Sequence, residues 1–277
     1  MNAPDGELAR MEQLRQRFGF WVDVLRVRQI VNWLLAWVAL DRRHEGTLVR
    51  MRCWSDVLAF NEIFRAGIYD VVFDAGPVAT FCDLGSQSGM ALLRLAARAG
   101  APHIALLVDG NPRAVERCRL NVRRAGLGPV VRVVHGAVGC DDLGSGTAGF
   151  TLRENELECA LAATRSNAEC AKTVDVPAIS LERAWLDHVG DVPCDLLKMD
   201  IEGAELGVLR NERTFLDRVR RIVLEWHDPP AAYEVVSGLL QSLGFADVRI
   251  LCEGSRSGVL FCQRAASPAV GGDHAGA

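Results

Sequence analysis

Lysine is nearly missing from this chain: of 31 basic residues only Lys172 and Lys198 are lysines, and the others are arginines. A lysine that stands against so strong a drift marks a position worth following. No two of the 9 cysteines stand at the C-x-x-C spacing of a zinc or dithiol site, which leaves reduced, mostly buried thiols as the reading. Basic charge is not in excess either. Asp and Glu number 35, the formal net charge is -4, and a field of that sign repels a phosphate backbone, which argues against a nucleic-acid partner. Long apolar runs are absent near the start, where the longest uncharged stretch, 29–40, falls short of the roughly 18 residues that span a bilayer. The first residues carry Asp5 and Glu7 where a secretory leader has a basic region and an apolar stretch, so a cytoplasmic, reducing setting is expected.

What is present is an ordinary globular balance, 49% hydrophobic and 24% charged over 277 residues. A chain of that length buries about three quarters of its unfolded surface. Apolar residues at mixed three and four spacing over 8–40, among them Trp21, Trp33 and Trp37, predict helix, with Arg10, Arg15, Arg17, Arg26 and Arg28 between them. A helical cap or homodimer contact is expected there, and peripheral membrane contact is the alternative for a basic amphipathic helix. Alternation predicts a strand over 47–54, and 55–67 reads as a short helix.

From there apolar runs at 79–84, 103–108, 130–134, 194–199 and 221–225 alternate with helical patterns at 90–99, 113–125, 181–188, 204–209 and 233–243. Such alternation predicts βαβ units and a mostly parallel Rossmann-like sheet of the α/β class. Two last strands, 246–252 and 258–263, have no helix between them and should close the sheet as an antiparallel hairpin. The expected organisation is a cap segment over 1–70, the sheet domain over 71–264 and a disordered tail over 265–277. A Gly, Ala, Thr and Ser-rich insertion over 140–176, loops with two strands, should lie over one end of the sheet.

Ligands of a doubly wound sheet sit beyond the carboxyl ends of its strands. The first strand runs into Asp83-Leu84-Gly85-Ser86-Gln87-Ser88-Gly89, where Gly85 and Gly89 allow a sharp turn and close approach of backbone to a ligand. A pyrophosphate site wants G-x-G-x-x-G; here the spacing is Gly-x-x-x-Gly, and Asp83 would repel a pyrophosphate and suit an ammonium group. The second strand ends at Asp109, placed to accept both hydroxyls of a ribose. The alternative, a helix cap, is met by Asn111 with Pro112 behind it, which leaves Asp109 free.

Four stretches, Asp83 to Gly89, Asp109-Gly110-Asn111-Pro112, Asp195 to Glu205 and Val223-Leu224-Glu225-Trp226-His227, resemble the ordered motifs of the FkbM-type S-adenosylmethionine-dependent methyltransferases. Gly67-Ile68-Tyr69-Asp70 resembles the family's lead-in. The likeness covers about 47–263, and Lys198-x-Asp200-x-Glu202-Gly203-Ala204-Glu205 is its most specific part. It implies a class I methyltransferase fold and S-adenosylmethionine as cofactor, with Asp83, Gly85, Ser86, Gly89, Asp109, Gly110 and Asn111 among the residues that hold it. It also implies methyl transfer to a hydroxyl of a sugar, glycan, polyketide or peptide natural product. Two departures stand out: Gly85-Ser86-Gln87-Ser88-Gly89 replaces the usual Gly-Ala-Asn-x-Gly, and Gly110 replaces a usual proline.

The fourth strand brings Lys198 and Asp200 to its end on one face. Lys198 is expected to hold a site carboxylate in place. Glu202 and Glu205 open the next helix; dipole complementation is the preferred reading for Glu205, while Glu202 stands nearer the sheet edge as a catalytic candidate. His227, ending the fifth strand, is a candidate general base for a hydroxyl proton. Asp200 and Glu225 at adjacent strand ends could share a hard cation such as Mg²⁺, or be held by Lys198 without one. His135 is expected as a wall of the adenine pocket, with Gly136 and Ala137 giving backbone close to the base. Two rival classes stay open. Asp228-Pro229-Pro230 is similar to the Asp/Asn-Pro-Pro motif of enzymes that methylate base amines, but it follows the fifth strand and precedes Ala231; and a non-catalytic cofactor-binding scaffold has no need of Lys198, Asp200 and His227 together.

Overall fold

The computed structural model describes residues 27–140, 146–153, 159–161, 172–228 and 230–264. The chain opens with α1 (Val27–Trp37), the hairpin β1 (Leu40–His44) and β2 (Thr47–Met51), then α2 (Trp54–Phe60), a π turn (Asn61–Arg65) and α3 (Asp70–Phe73). Alternation follows: β3 (Thr80–Leu84), α4 (Met90–Ala99), β4 (Ile104–Asp109), α5 (Pro112–Arg124) and β5 (Val131–His135). Three strands, β6 (Thr147–Leu152), β7 (Ala160–Leu161) and β8 (Lys172–Pro177), precede α6 (Leu181–His188). Then come β9 (Leu196–Met199), α7 (Glu205–Asn211), α8 (Arg213–Leu216), β10 (Arg221–His227), α9 (Tyr233–Ser242), β11 (Phe245–Glu253) and β12 (Ser257–Arg264).

Seven strands form one sheet in the order β11-β12-β10-β9-β3-β4-β5. β12 runs against both of its neighbours, and β10, β9, β3, β4 and β5 pair in parallel. This is the class I methyltransferase arrangement, an α/β sheet closed by an antiparallel hairpin. The strands are apolar on both faces because both faces are covered. Cys82, Leu84, Leu106, Val108, Leu197, Met199, Ile222 and Leu224 pack on the side of α6, α7, α8 and α9. Their chain neighbours Phe81, Ala105, Leu107, Leu196 and Val223 face the other side, with α4, Cys118 and Val122 of α5, and Val49, Met51, Phe60 and Phe64 from the N-terminal elements.

Local chemistry sets the helix starts. Asn111 accepts a hydrogen bond from Arg113 N at 3.0 Å ahead of α5, with Pro112 at the first helical position, and Ser180 caps α6 through Arg183 N at 3.3 Å. The N-terminal elements are locked on by Arg94, which is buried on α4 and forks onto both oxygens of Asp70 at 2.8 and 2.6 Å while also meeting Glu45.

Two expectations change. Helix ends at Trp37, and Leu40–His44 is a strand, held to β2 by the register Leu40↔Met51 and by the Arg50 guanidinium on Asp41 at 2.7 and 2.8 Å. Its side chains are polar and exposed, so no apolar alternation announced it. The rest of the helical pattern, with Trp21 and the arginines up to Arg26, lies outside the described residues, as does the expected tail. Among its described residues the insertion holds three strands rather than two, an antiparallel sheet β7-β6-β8. Trp33 and Trp37 are 63% and 77% exposed in the single chain, their rings tilted at 55° with centroids 6.4 Å apart. Among the described residues no helix is long and apolar enough to cross a membrane.

Trp185 is the opposite case: fully buried, set edge-on to Phe215 at 5.3 Å, its indole N–H donating to Val192 O. We expect Trp185→Ala to lower the unfolding free energy by about 3–5 kcal/mol and Trp37→Ser to leave it within about 0.5 kcal/mol in urea titrations. Equal midpoint shifts would contradict the packing described.

Candidate active site

Strand order reverses between β3 and β9, and a cleft opens beyond the carboxyl ends there. Gly85, Gln87, Asp109, Gly110, Gly136 and Ala137 line it, together with Asp200, Ile201, Glu202 and Ala204. Phe150, Cys159 and Leu161 of the insertion, with Val108 and Val138, give it an apolar side.

Gly85 is required by its surroundings. Its φ is +72°, and a Cβ there would stand 1.7 Å from the Asp200 carbonyl oxygen. Gly110 leaves room for the Phe150 ring, 2.4 Å from where its Cβ would be, and Gly136 does the same for Ile179 at 2.2 Å. The insertion therefore sits down on the strand ends through residues without side chains. Asp109 is half-buried at the cleft, and each of its oxygens accepts one backbone N–H, from Gln87 at 2.8 Å and Asn111 at 2.7 Å. It is thus not free, as the sequence suggested, yet each oxygen keeps a second lone pair. Burial pushes its pKa up to about 6, against the opposing effect of those two hydrogen bonds.

Asp83, Ser86, Gly89 and Asn111, expected to hold the cofactor, do not line the cleft. Gly89 (φ +81°) turns into α4 against Cys118, Asn111 caps α5, and the Ser86 side chain is buried. His135 is not among the residues that line the cleft either; its Nε2 lies 3.1 Å from Gly110 O.

The far end of the cleft is built around charge. Asp83 on β3 and Lys198 on β9 are register partners, and both are buried. The Lys198 ammonium lies 3.2 Å from Asp83 Oδ1 and 3.6 Å from Asp200 Oδ2, and donates to Gly85 O at 2.9 Å. It holds two carboxylates at once. Burial by itself favours the neutral amine, but Asp83, Asp200 and Glu225 outweigh it and raise the pKa. Burial raises the Asp83 pKa, partly offset by Lys198.

His227, 6% exposed, sits among four carboxylates. Its Nδ1 is 2.9 Å from Glu205 Oε1, and its Nε2 is 3.6 Å from Glu202, 3.8 Å from Glu225 and 4.0 Å from Asp200. Burial opposes the charged ring, but the Glu205 hydrogen bond and the charges of Glu202, Glu205 and Glu225 push its pKa up to about 10. That shift favours the ring with both protons on, which is not the state of the expected general base. Glu205 is not a surface dipole partner but a buried clamp: the same oxygen accepts from Ile201 N at 3.3 Å and Gly203 N at 3.1 Å, fixing the loop in which Glu202 takes a left-handed φ of +54°. Burial, then Asp200, raises the Glu225 pKa well above the ordinary range. The expected metal pair also changes, since the ligand atoms that lie within 4.8 Å of one another belong to Asp200, Glu202 and His227, without Glu225.

Tyr69 went unassigned in the sequence. It is buried, and its phenol pKa is raised by burial and then by Asp200, Glu225, Asp83 and Glu62, so it stands against the acidic wall from the opposite layer. Its only sequence signal was its place in the lead-in beside Asp70.

An α/β sheet of this order, with a glycine-turned cleft at its switch point, defines a class I S-adenosylmethionine-dependent methyltransferase. A family model described as Methyltransferase FkbM domain matches residues 83–246, and the chain belongs to that family. Solved structures are similar over most of the chain. The METTL16 MTase domain shares 14% identity over 86% of this chain and 79% of its own, with a TM-score of 0.47. Magnesium protoporphyrin IX methyltransferase (ChlM) from Synechocystis PCC 6803 with bound SAM shares 14% over 76% and 81%, with 0.43. M. capricolum TrmK in complex with S-adenosyl-homocysteine shares 11% over 70% and 66%, with 0.43. No curated protein matches the chain.

The cleft fits the family's cofactor: it offers an apolar side for a base, a carboxylate for a diol and side-chain-free backbone between them. We expect Gly85→Ala to lose about 1–3 kcal/mol of stability and its affinity for S-adenosylhomocysteine together, because the new Cβ must push the Asp200 carbonyl aside; a variant of wild-type stability and affinity would show that the loop is not where it is placed. A second expectation concerns pH. The folded pKa of Asp109 lies above its ordinary 3.8, so the fold alone favours the protonated acid, whereas a bound diol donates to the carboxylate. Cofactor affinity should be full above about pH 6 and weaken about tenfold by pH 5. Calorimetry on Asp109→Asn should give a weaker, flat profile; parallel profiles for the two proteins would remove Asp109 from the site.

Proposed function

We propose that the protein is an O-methyltransferase whose acceptor is a hydroxyl of a sugar, glycan or other natural product. The observation that carries this reading is the acidic wall at the far end of the cleft, where Asp200 and Glu202 face the opening with Glu225 and Asp83 close behind. Carboxylates accept hydroxyl protons and repel polyanions, which speaks against a nucleic-acid acceptor. Asp228 lies in an exposed turn after β10, its N–H bonded to Arg256 O, and not at the end of β9.

The cofactor supplies a methyl on a sulfonium, whose leaving group is a neutral thioether. Asp109 would accept the ribose hydroxyls, and Val108, Val138 and Phe150 would flank the base. Lys198 holds Asp83 and Asp200 side by side, its ammonium 3.2 Å from the one and 3.6 Å from the other. The acceptor hydroxyl is held at the Asp200 and Glu202 pair, which receives its proton as the new O–C bond forms, and His227 positions that pair as a buried cation clamped by Glu205. The insertion, through Phe150, Cys159 and Leu161, and the N-terminal layer, through Tyr69, are the surfaces from which acceptor choice is read.

Purified protein with methyl-labelled cofactor and parallel panels of neutral glycans, polyketides, tRNA and peptides tests the reading. Label should appear in an alkali-stable ether of a hydroxylated acceptor. Asp200→Asn should lower the turnover about 10²–10⁴-fold with the affinity for S-adenosylhomocysteine within threefold of wild type. Label in RNA or protein, and none in the hydroxyl panel, would overturn it.

A further inference from the structure

A carboxylate is a weak base for an alcohol, and at this end of the cleft the His227 imidazole stands among four of them. The arrangement around that imidazole has the form of a metal centre. One oxygen of Asp200, one oxygen of Glu202 and a nitrogen of His227 lie within 4.8 Å of one another, a spread that a single cation with ligands at 2.0–2.4 Å can span. The three come from two places, the loop after β9 and the end of β10, that the sheet brings to one edge.

An acidic cluster alone would be no site. The independent observation is His227 itself. Its ring is more than nine-tenths buried, and its Nε2 points among the carboxylates of Glu202, Glu225 and Asp200 at 3.6, 3.8 and 4.0 Å. Its other nitrogen is fixed at 2.9 Å by Glu205, whose carboxylate is fully buried and further fixed by two loop amides. Metal-ligating histidines are oriented in this way, with the second ring N–H given to a carboxylate so that the free nitrogen faces the ion.

We propose that Asp200, Glu202 and His227 bind one divalent cation of the Mg²⁺ or Mn²⁺ class beside the acceptor. Binding displaces the Nε2 proton to solvent, leaves Nδ1–H on Glu205, and brings two positive charges to a wall of four carboxylates. Three ligands from one side leave the remaining positions of an octahedral ion open toward the cleft, where an acceptor hydroxyl becomes more acidic and the carboxylate pair suffices as its base. Lys198 remains the partner of Asp83 and of the other Asp200 oxygen. This rests on reading this end of the cleft as the acceptor's.

Mn²⁺ alone is the probe, followed by electron paramagnetic resonance on the full chain without cofactor. One Mn²⁺ per chain should be taken up, with nitrogen modulation in the spin echo that His227→Gln abolishes. Asp200→Asn/Glu202→Gln should weaken binding at least 100-fold, and Glu205→Gln, which touches no ion, about 10–100-fold. Should His227→Gln not fold, the nitrogen modulation of the wild type and the more exposed Glu202→Gln variant still decide. Mn²⁺ that stays free beside millimolar protein, or binds without nitrogen modulation and equally in the double variant, overturns the proposal. S-adenosylhomocysteine binding in EDTA, measured on the same samples, separates the failures. Cofactor bound without Mn²⁺ uptake sinks the metal centre alone; Mn²⁺ bound normally with no hydroxylated acceptor methylated sinks the O-methyltransferase reading alone.

Discussion

The buried ammonium of Lys198 is the constraint on which the cleft depends. It sits where strand order reverses, and it reaches Asp83, Asp200 and the carbonyl oxygen of Gly85 within 3.6 Å. Without it, Asp83 would be a fully buried carboxylate with no opposite charge, a cost of several kcal/mol. A guanidinium could not replace it, because a planar fork on a longer stem cannot converge on three groups around one point. That geometry accounts for a lysine here in a chain that otherwise uses arginine, and it lets an acidic wall stand against a strand end that is otherwise apolar.

From that point the site is a sequence of dependent contacts. The Asp200 backbone lies against Gly85 so closely that no side chain fits between them. The loop that follows takes a left-handed residue at Glu202, a conformation that costs energy and persists only where its surroundings hold it. Glu205 does the holding, through two loop amides and His227. A single buried carboxylate thus fixes both the backbone that carries Glu202 and the ring that faces it, which is why its substitution should be felt at a distance from the acceptor.

The N-terminal layer belongs to the same structure. Arg94 ties α4 to Asp70 and Glu45, and the residue next to Asp70 is Tyr69, which stands among the carboxylates of the wall. A cap that shared no core with the sheet could move independently of the site. Here Val49, Met51, Phe60 and Phe64 pack in one cluster with Phe81, Leu92 and Phe261, so the N-terminal layer is held by the sheet itself.

How much was legible in the sequence follows from which interactions are local. The sheet was legible because its signals are periodic or capped: apolar runs for strands covered on both faces, Asn111-Pro112 and Ser180 for helix starts, and two strands with no helix between them for the closing hairpin. β1 was not, because a polar strand is selected by its partner and not by its own pattern. Within the site, Gly85, Asp109, Lys198 and Asp200 announced themselves by residue type at a strand end. The charge of His227, the inward role of Glu205, the approach of Tyr69 and the exchange of Glu225 for Glu202 beside Asp200 and His227 did not. Each of those depends on burial and on distances between residues far apart in the chain, and both exist only once β3, β9 and β10 lie side by side. Sequence by itself determined the fold, the family and the edge at which chemistry is placed; only the tertiary structure decided which carboxylate holds the histidine and which face it, because a pKa and a ligand set are properties of neighbours in space.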